Sequence, residues 1–204
     1  YHSVGFQLIF CYRGWVDLVY EDQGEPIRLT AGNCVIQPPE IRHRVLYASA
    51  NIEVIEIGVP AKHITTIDHE MTLPNKVKNP DRLFKGQKFV HNKSNKAEWK
   101  NFRIPGFVSR DTTIAKNTQN VAGVEVVRSN GKPTRESWHS SDILFTFVMK
   151  GTMKLEGEGK KPFDLSPGDA FVIPPNMKTT YSNPSIDIEF LEVSLPGNFE
   201  TFIH

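Results

Sequence analysis

The sequence has little that would tie it to a secreted scaffold, a membrane or a nucleotide. Its 204 residues include only two cysteines, Cys11 and Cys34. A disulfide framework needs more cysteines in a smaller secreted chain. Both lie in apolar strand-like runs, so two buried free thiols in a reducing, cytoplasmic setting are expected. No apolar run approaches the ~20 residues that span a bilayer, and no leader sequence is recognisable; no membrane partner is expected. Neither sign of charge dominates: 24 basic and 23 acidic residues leave a net charge of +1. The densest basic stretch, Lys76 to Lys100, interleaves its charges with Asn, Asp and Glu. It reads as a solvated connector, so no nucleic-acid partner is expected. The P-loop, the dinucleotide fingerprint and the Gly-x-Ser-x-Gly elbow are all missing.

What the chain does have is an internal repeat. NIEVIEIGVP (51–60) aligns with DIEFLEVSLP (187–196) at an offset of 136, with four identities. The same offset places AGNCVIQPPEIRH (31–43) over PGDAFVIPPNMKT (167–179), matching Gly32 to Gly168 and Pro38-Pro39 to Pro174-Pro175. One residue of slippage brings QLIFCYRG (7–14) over LFTFVMKG (144–151). Three matches in the same order indicate duplicated units. FVSRDTTIA (107–115) and VAGVEVVRS (121–129) have no counterpart in the first unit, because Tyr1 aligns with Trp138. The first unit is therefore expected to lack its N-terminal strands in this sequence, with residues preceding Tyr1.

Each unit is all-β by pattern. Segments of five to eight residues rich in Val, Ile, Phe and Tyr are bounded by Gly, Pro, Asn and Asp. WVDLVYEDQGEPIRL reads strand, turn, strand, with Asp22-Gln23-Gly24 in the turn; MKLEGEGKKPFDL reads likewise, with Gly157 and Gly159 at the bend. Regularly spaced short strands point to a jelly roll or small barrel. The units divide as residues 1–60, a connector at 61–100, and 101–204. The connector is more polar and is expected to hold one short helix at most.

A strand ending in Gly, a hairpin, Gly-Asp/Asn with Pro-Pro five residues beyond, and a His four residues after the second Pro resembles the cupin pattern. The residues are Gly14, Gly32-Asn33, Pro38-Pro39 and His43, and, in the second unit, Gly151, Gly168-Asp169 and Pro174-Pro175 with Thr179 at the His position. The resemblance covers residues 1–60 and about 107–196. It implies two tandem cupin-type jelly-roll β-barrels.

The resemblance also implies a metal site. Cupins take a His-x-His pair, a Glu and a later His; here His2 falls on the second His of the pair, Gln7 on the Glu and His43 on the later His. The implied ion is a divalent transition metal, Fe, Mn, Ni or Zn, since imidazole suits all of these. His139 matches His2, but Ser137, Leu144 and Thr179 fill the other positions, so the second barrel is expected to be metal-free. A small-molecule pocket at His139, Thr179 and Tyr181, lined by Phe145, Phe147 or Met149, is possible there.

Two functions follow from the resemblance. One is a metal-dependent enzyme of oxygenase, isomerase or lyase type acting on a small organic molecule in the first barrel. The other is a non-enzymatic small-molecule binder or sensor without metal. Homodimerisation is expected of either. The remaining features read as structural. Arg42 and Arg44 are solvent-facing neighbours of His43. Asp68-His69-Glu70 is a solvated loop, and His63 and His91 lack partners at ligand spacing. Trp99 and Trp138 serve as core or interface anchors. The C-terminal Phe199 and Phe202 either fold back or reach a neighbouring molecule.

Overall fold

The computed structural model describes all 204 residues, Tyr1–His204. The chain divides into two units. The first comprises Tyr1–Lys96 with Lys116–Gln119, and the second Ala97–Ala115 with Asn120–His204. Apart from a four-residue helix at Ile114–Asn117 and one 3-10 turn at Ser94–Lys96, all regular structure is strand. No helix is long and apolar enough to cross a membrane.

The first unit contains β1 (Phe6–Arg13), β2 (Trp15–Tyr20), β3 (Ile27–Thr30), β4 (Cys34–Ile36), β5 (His43–Ala48), β6 (Glu53–Val59), β7 (Leu83–Phe84), β8 (Gln87–Lys88) and β9 (Val90–Asn92). One sheet runs β6-β1-β4-β9 and a second β3-β2-β5. Their facing sides enclose a core of Cys11, Val16, Leu18, Tyr20, Leu29 and Val35. Residues 83–92, in the tract read as connector, carry three of these strands, and Val90–Asn92 pairs with β4.

The second unit contains β10 (Trp99–Asn101), β11 (Phe107–Asp111), β12 (Gly123–Ser129), β13 (Ser137–His139), β14 (Ile143–Lys150), β15 (Met153–Gly157), β16 (Phe163–Leu165), β17 (Ala170–Ile173), β18 (Thr179–Ser182), β19 (Glu189–Leu195) and β20 (Thr201–Ile203). Its sheets run β10-β11-β12-β19-β14-β17 and β16-β15-β18-β13-β20. Phe107, Val127, Phe190 and Tyr181 centre the core between them. Phe102, Phe107, Phe190 and Tyr181 meet edge to face, the arrangement that ring quadrupoles favour. The C-terminal Phe202 folds back onto Trp138, opposite it in the β13–β20 ladder.

The repeat read in the sequence is reproduced in strand pairing. Leu8 pairs with Ile36 and Ile57, and Phe145 pairs with Val172 and Val193. Both first strands of the repeat carry a register break at the same place, between Cys11 and Arg13 and between Val148 and Lys150. Each break leads into a glycine with positive φ, Gly14 at 69° and Gly151 at 70°. At Gly151 a Cβ would lie 2.7 Å from both the N and Cα of Ile188. Gly151→Ala therefore combines left-handed backbone strain with a backbone clash. It is expected to destabilise the chain by about 1–3 kcal/mol, read as a lowered urea midpoint; an unchanged midpoint would mean that the turn rebuilds.

Strand alternation also settles which side chains face inward. In β14 these are Leu144, Thr146 and Val148, all fully or almost fully buried. Phe145 and Phe147 point to the opposite face, where Phe145 lies opposite Val172, itself 58% exposed. The two aromatics expected to line an interior pocket are thus on the outside of that sheet.

Candidate functional site

In the first unit, three imidazoles converge where the segment before β1 meets the start of β5. His2 is held by a bridge to Thr65. Its ring stacks on His43, with centroids 5.2 Å apart, and meets His63 edge-on at 5.5 Å. His63, expected to have no partner, is thus brought alongside His2 by the turn after β6. The His43 Nδ1–H donates to the Ile41 carbonyl at 3.0 Å, and the His63 Nδ1–H donates to Pro60 at 3.1 Å. A carbonyl can only accept, so both rings carry their proton on Nδ1 when neutral and keep the Nε2 lone pair. His2 Nδ1 is 2.9 Å from the Thr65 hydroxyl. Burial holds His43 neutral, lowering its pKa to about 4, and lowers that of His2 as well.

Gln7, on β1, is buried. Its amide Nε2 donates to Glu56 Oε1 at 2.7 Å, while its Oε1 is buried without a hydrogen-bond partner. A cavity of about 530 Å³ opens onto His2 and His43 between Arg42, Arg44, Thr65 and Met71. Arg42 is not merely solvent-facing: it pairs with Glu21 at 3.3 Å and with Asp68. Asp68 also caps the Glu70 amide, so the 68–70 loop is tied down rather than simply solvated. His91 turns its ring into the fold, with Nε2 buried and unpartnered. Cys11 and Cys34 are both buried free thiols, and burial pushes the Cys11 thiol up to about 11, which keeps it protonated. No group of three or more His, Cys, Asp or Glu side chains is arranged to hold a metal ion.

In the second unit, His139 is buried and its Nδ1 accepts the Ser141 amide at 3.1 Å. Tyr181 is closed inside the aromatic core. Thr179 borders a cavity of about 530 Å³ with Phe171 and Met177, in which neither His139 nor Tyr181 takes part.

Residues 123–194 match the family model for the cupin domain. That stretch, about a third of the chain, is similar to the cupin domain. Solved structures show the same fold at low identity. A glyoxylate-induced protein of Pseudomonas aeruginosa matches with a TM-score of 0.65 and 13% identity, over 95% of this chain and 66% of that one. A salicylate 1,2-dioxygenase of Pseudaminobacter salicylatoxidans matches at 0.70 and 14%, over 99% and 70%. Oxalate decarboxylase of Bacillus subtilis matches at 0.68 and 10%, over 99% and 65%. The chain spans about two thirds of the length of these proteins. No curated protein matches the sequence.

The second unit contains buried polar groups that no sequence motif marks. Glu192 on β19 is buried and bound in a fork by Arg103, at 3.0 and 2.6 Å. Glu56 occupies the same place in the first unit, opposite Ile9 as Glu192 is opposite Thr146. The signal in the sequence was partial. IEVIE and IEFLE each carry two acids three residues apart, and in an alternating strand such residues point to opposite faces; Glu192 is the buried acid of its pair, whereas Glu53 and Glu56 both stay exposed. Nothing in the sequence around Arg103 marks it as that partner.

Proposed function

We propose that the chain is a two-cupin protein whose first unit binds a divalent transition metal and acts on a small organic molecule, by oxygenase, isomerase or lyase chemistry. The donors would be His2, His43 and the amide oxygen of Gln7. The observation that carries this reading is the state of those three atoms. The His43 ring is fixed by its Nδ1 hydrogen bond with Nε2 left free, the pattern that orients metal-binding imidazoles. His2 is likewise engaged at Nδ1, and Gln7 Oε1 is a buried acceptor with nothing to accept. A bound ion would act as a Lewis acid beside the cavity. The chain's own part is to keep both imidazoles neutral by burial, to hold the Gln7 amide through Glu56, and to present Arg44 and Thr65 along the cavity wall.

Elemental analysis after growth in Fe-, Mn- and Ni-supplemented medium tests this. About one ion per chain is expected, falling to background in His43→Ala and unchanged in Thr179→Ala. Near-zero metal in the wild-type protein would sink the metal reading. It would leave the alternative that the missing cage of three ionisable donors favours, a metal-free small-molecule binder.

A further inference from the structure

We propose that the second unit presents a docking groove for an extended peptide of a partner protein, which adds a strand to β17 and seats an aromatic side chain in the cavity beside it. The proposal does not rest on the metal reading of the first unit.

The repeat supplies the argument. β4 and β17 hold the same place in the two units, each following in the orders β6-β1-β4 and β19-β14-β17. In the first unit β4 is not an edge. Val90–Asn92 pairs with it, with Val35 opposite His91, and all three β4 residues are buried. In the second unit β17 ends its sheet, and Val172, at the position of Ile36, is 58% exposed where Ile36 is 0%. An edge strand turns unpaired N–H and C=O groups outward and offers a template for another strand, and native edges are commonly blunted by a charge, a proline or a bulge. Ala170-Phe171-Val172-Ile173 contains none of these.

The space beside this edge indicates what the added strand carries. Leu165, Phe171 and Met177 line the cavity of about 530 Å³. Their counterparts Leu29, Val35 and Ile41 lie in the core of the first unit, each at most 1% exposed. What closes that core is aromatic. Phe84 belongs to it, Phe89 packs against it, and the Phe89 ring meets that of Tyr20 with centroids 4.5 Å apart. The second unit supplies none of the three. Ladder register puts Gly157 at the place of Tyr20, since Tyr20 pairs with His43 and Gly157 with Thr179. The chain that follows β19 enters β20, which pairs with β13 and not with β17. The cavity thus takes the place that three aromatic rings fill in the first unit.

A free aromatic molecule would fill the cavity and leave the β17 edge unpaired. An extended peptide answers both, with main-chain hydrogen bonds giving affinity and a side-chain pocket giving specificity. The first unit shows the form of such a segment: Phe89 directly precedes the strand Val90–Asn92. A second copy of this chain does not offer that segment, because Phe84 and Val90 are 6% and 7% exposed within their own unit. A different protein therefore provides it.

The experiment uses the full chain and, as probe, a blocked synthetic peptide with the sequence of residues 83–92, LFKGQKFVHN. Calorimetry measures its affinity and amide hydrogen exchange locates it. Binding is expected, with slowed exchange across Ala170–Ile173. Val172→Lys sets a charge on the exposed edge. Gly157→Tyr restores the ring of Tyr20, and the nearest atom to a Cβ there is the end of the flexible Met177 side chain, at 2.8 Å. Each variant should weaken the peptide by about tenfold or more, and thermal melts establish that both are folded. No binding up to about 1 mM, unchanged affinity in the variants, or protection of β4 in place of β17 would each overturn the assignment. So would N-acetylphenylalaninamide binding as tightly as the peptide, which would give the groove to a small aromatic molecule. A wild-type dimer that Val172→Lys dissolves would overturn it too, by giving the edge to a second copy.

Discussion

Arg103→Met is expected to destabilise the second unit by about 3–5 kcal/mol, the usual cost of leaving one member of a buried ion pair uncompensated. Glu192 is 3% exposed, and the Arg103 fork is its ion-pair partner. The guanidinium also lies over two rings, 5.0 Å from the Phe102 centroid and 5.3 Å from that of Phe199. Methionine keeps much of that apolar contact, so the loss would report the charge. Urea denaturation measures it. With Trp15→Phe in the background, the remaining tryptophans, Trp99 and Trp138, both belong to the second unit. Adding Glu192→Gln to Arg103→Met should recover most of the loss, because the uncompensated charge is then gone. A loss below about 1 kcal/mol would mean that water in the cavity bordered by Arg103 and Glu192 solvates Glu192 well enough to dispense with Arg103.

The second large effect is a pH profile of unusual sign for a carboxyl group. Burial, and then the neighbouring Glu192 charge, push Glu125 up to about 7 in the folded chain, against 4.5 as its ordinary value. The unfolded chain therefore releases this proton first as pH rises. The stability that Glu125 contributes is fully present below 4.5, declines between 4.5 and 7, and is lost above 7. The gap corresponds to about 3 kcal/mol at most. Glu125→Gln cannot ionise, so its urea midpoint should stay level from pH 5 to pH 8 and exceed the wild-type midpoint at pH 8. A wild-type midpoint that rises over this range, with Glu125→Gln following it in parallel, would refute the assignment. The first unit should behave oppositely. His43 and His91 are both lowered to about 4, burial being the first cause. Stability there falls as pH drops from 6.5 towards 4, when the buried rings must charge.

Much of the fold was legible because its signals are local. The strands from QLIFCYRG to NIEVIEIGVP and their repeat at 144–196 are marked by period-two hydrophobicity and by turn residues, and these act over a few positions. The Gly14 and Gly151 turns and the hairpins lie within that reach; the pairing of Phe202 with Trp138, 64 positions away, does not, and the sequence left it open. The family resemblance came from the same short motifs.

The sites were less legible, and the reason is physical. Periodicity shows that two faces of a strand differ, but only packing decides which one is interior. Phe145 and Phe147 are larger and more apolar than Thr146, yet the register of β14 against β19 puts Thr146 inside, opposite Glu192. His63 reaches His2 across 61 positions, and Arg103 reaches Glu192 across 89. Neither pairing leaves a mark on neighbouring residues, because a side-chain contact closed by a long loop constrains nothing along the chain between its ends. By itself, then, the sequence determined most of the longer strands and the repeated segments, but not the three short strands at 83–92. The tertiary structure decided which acids are buried and which imidazoles meet, because both depend on how distant strands come into register.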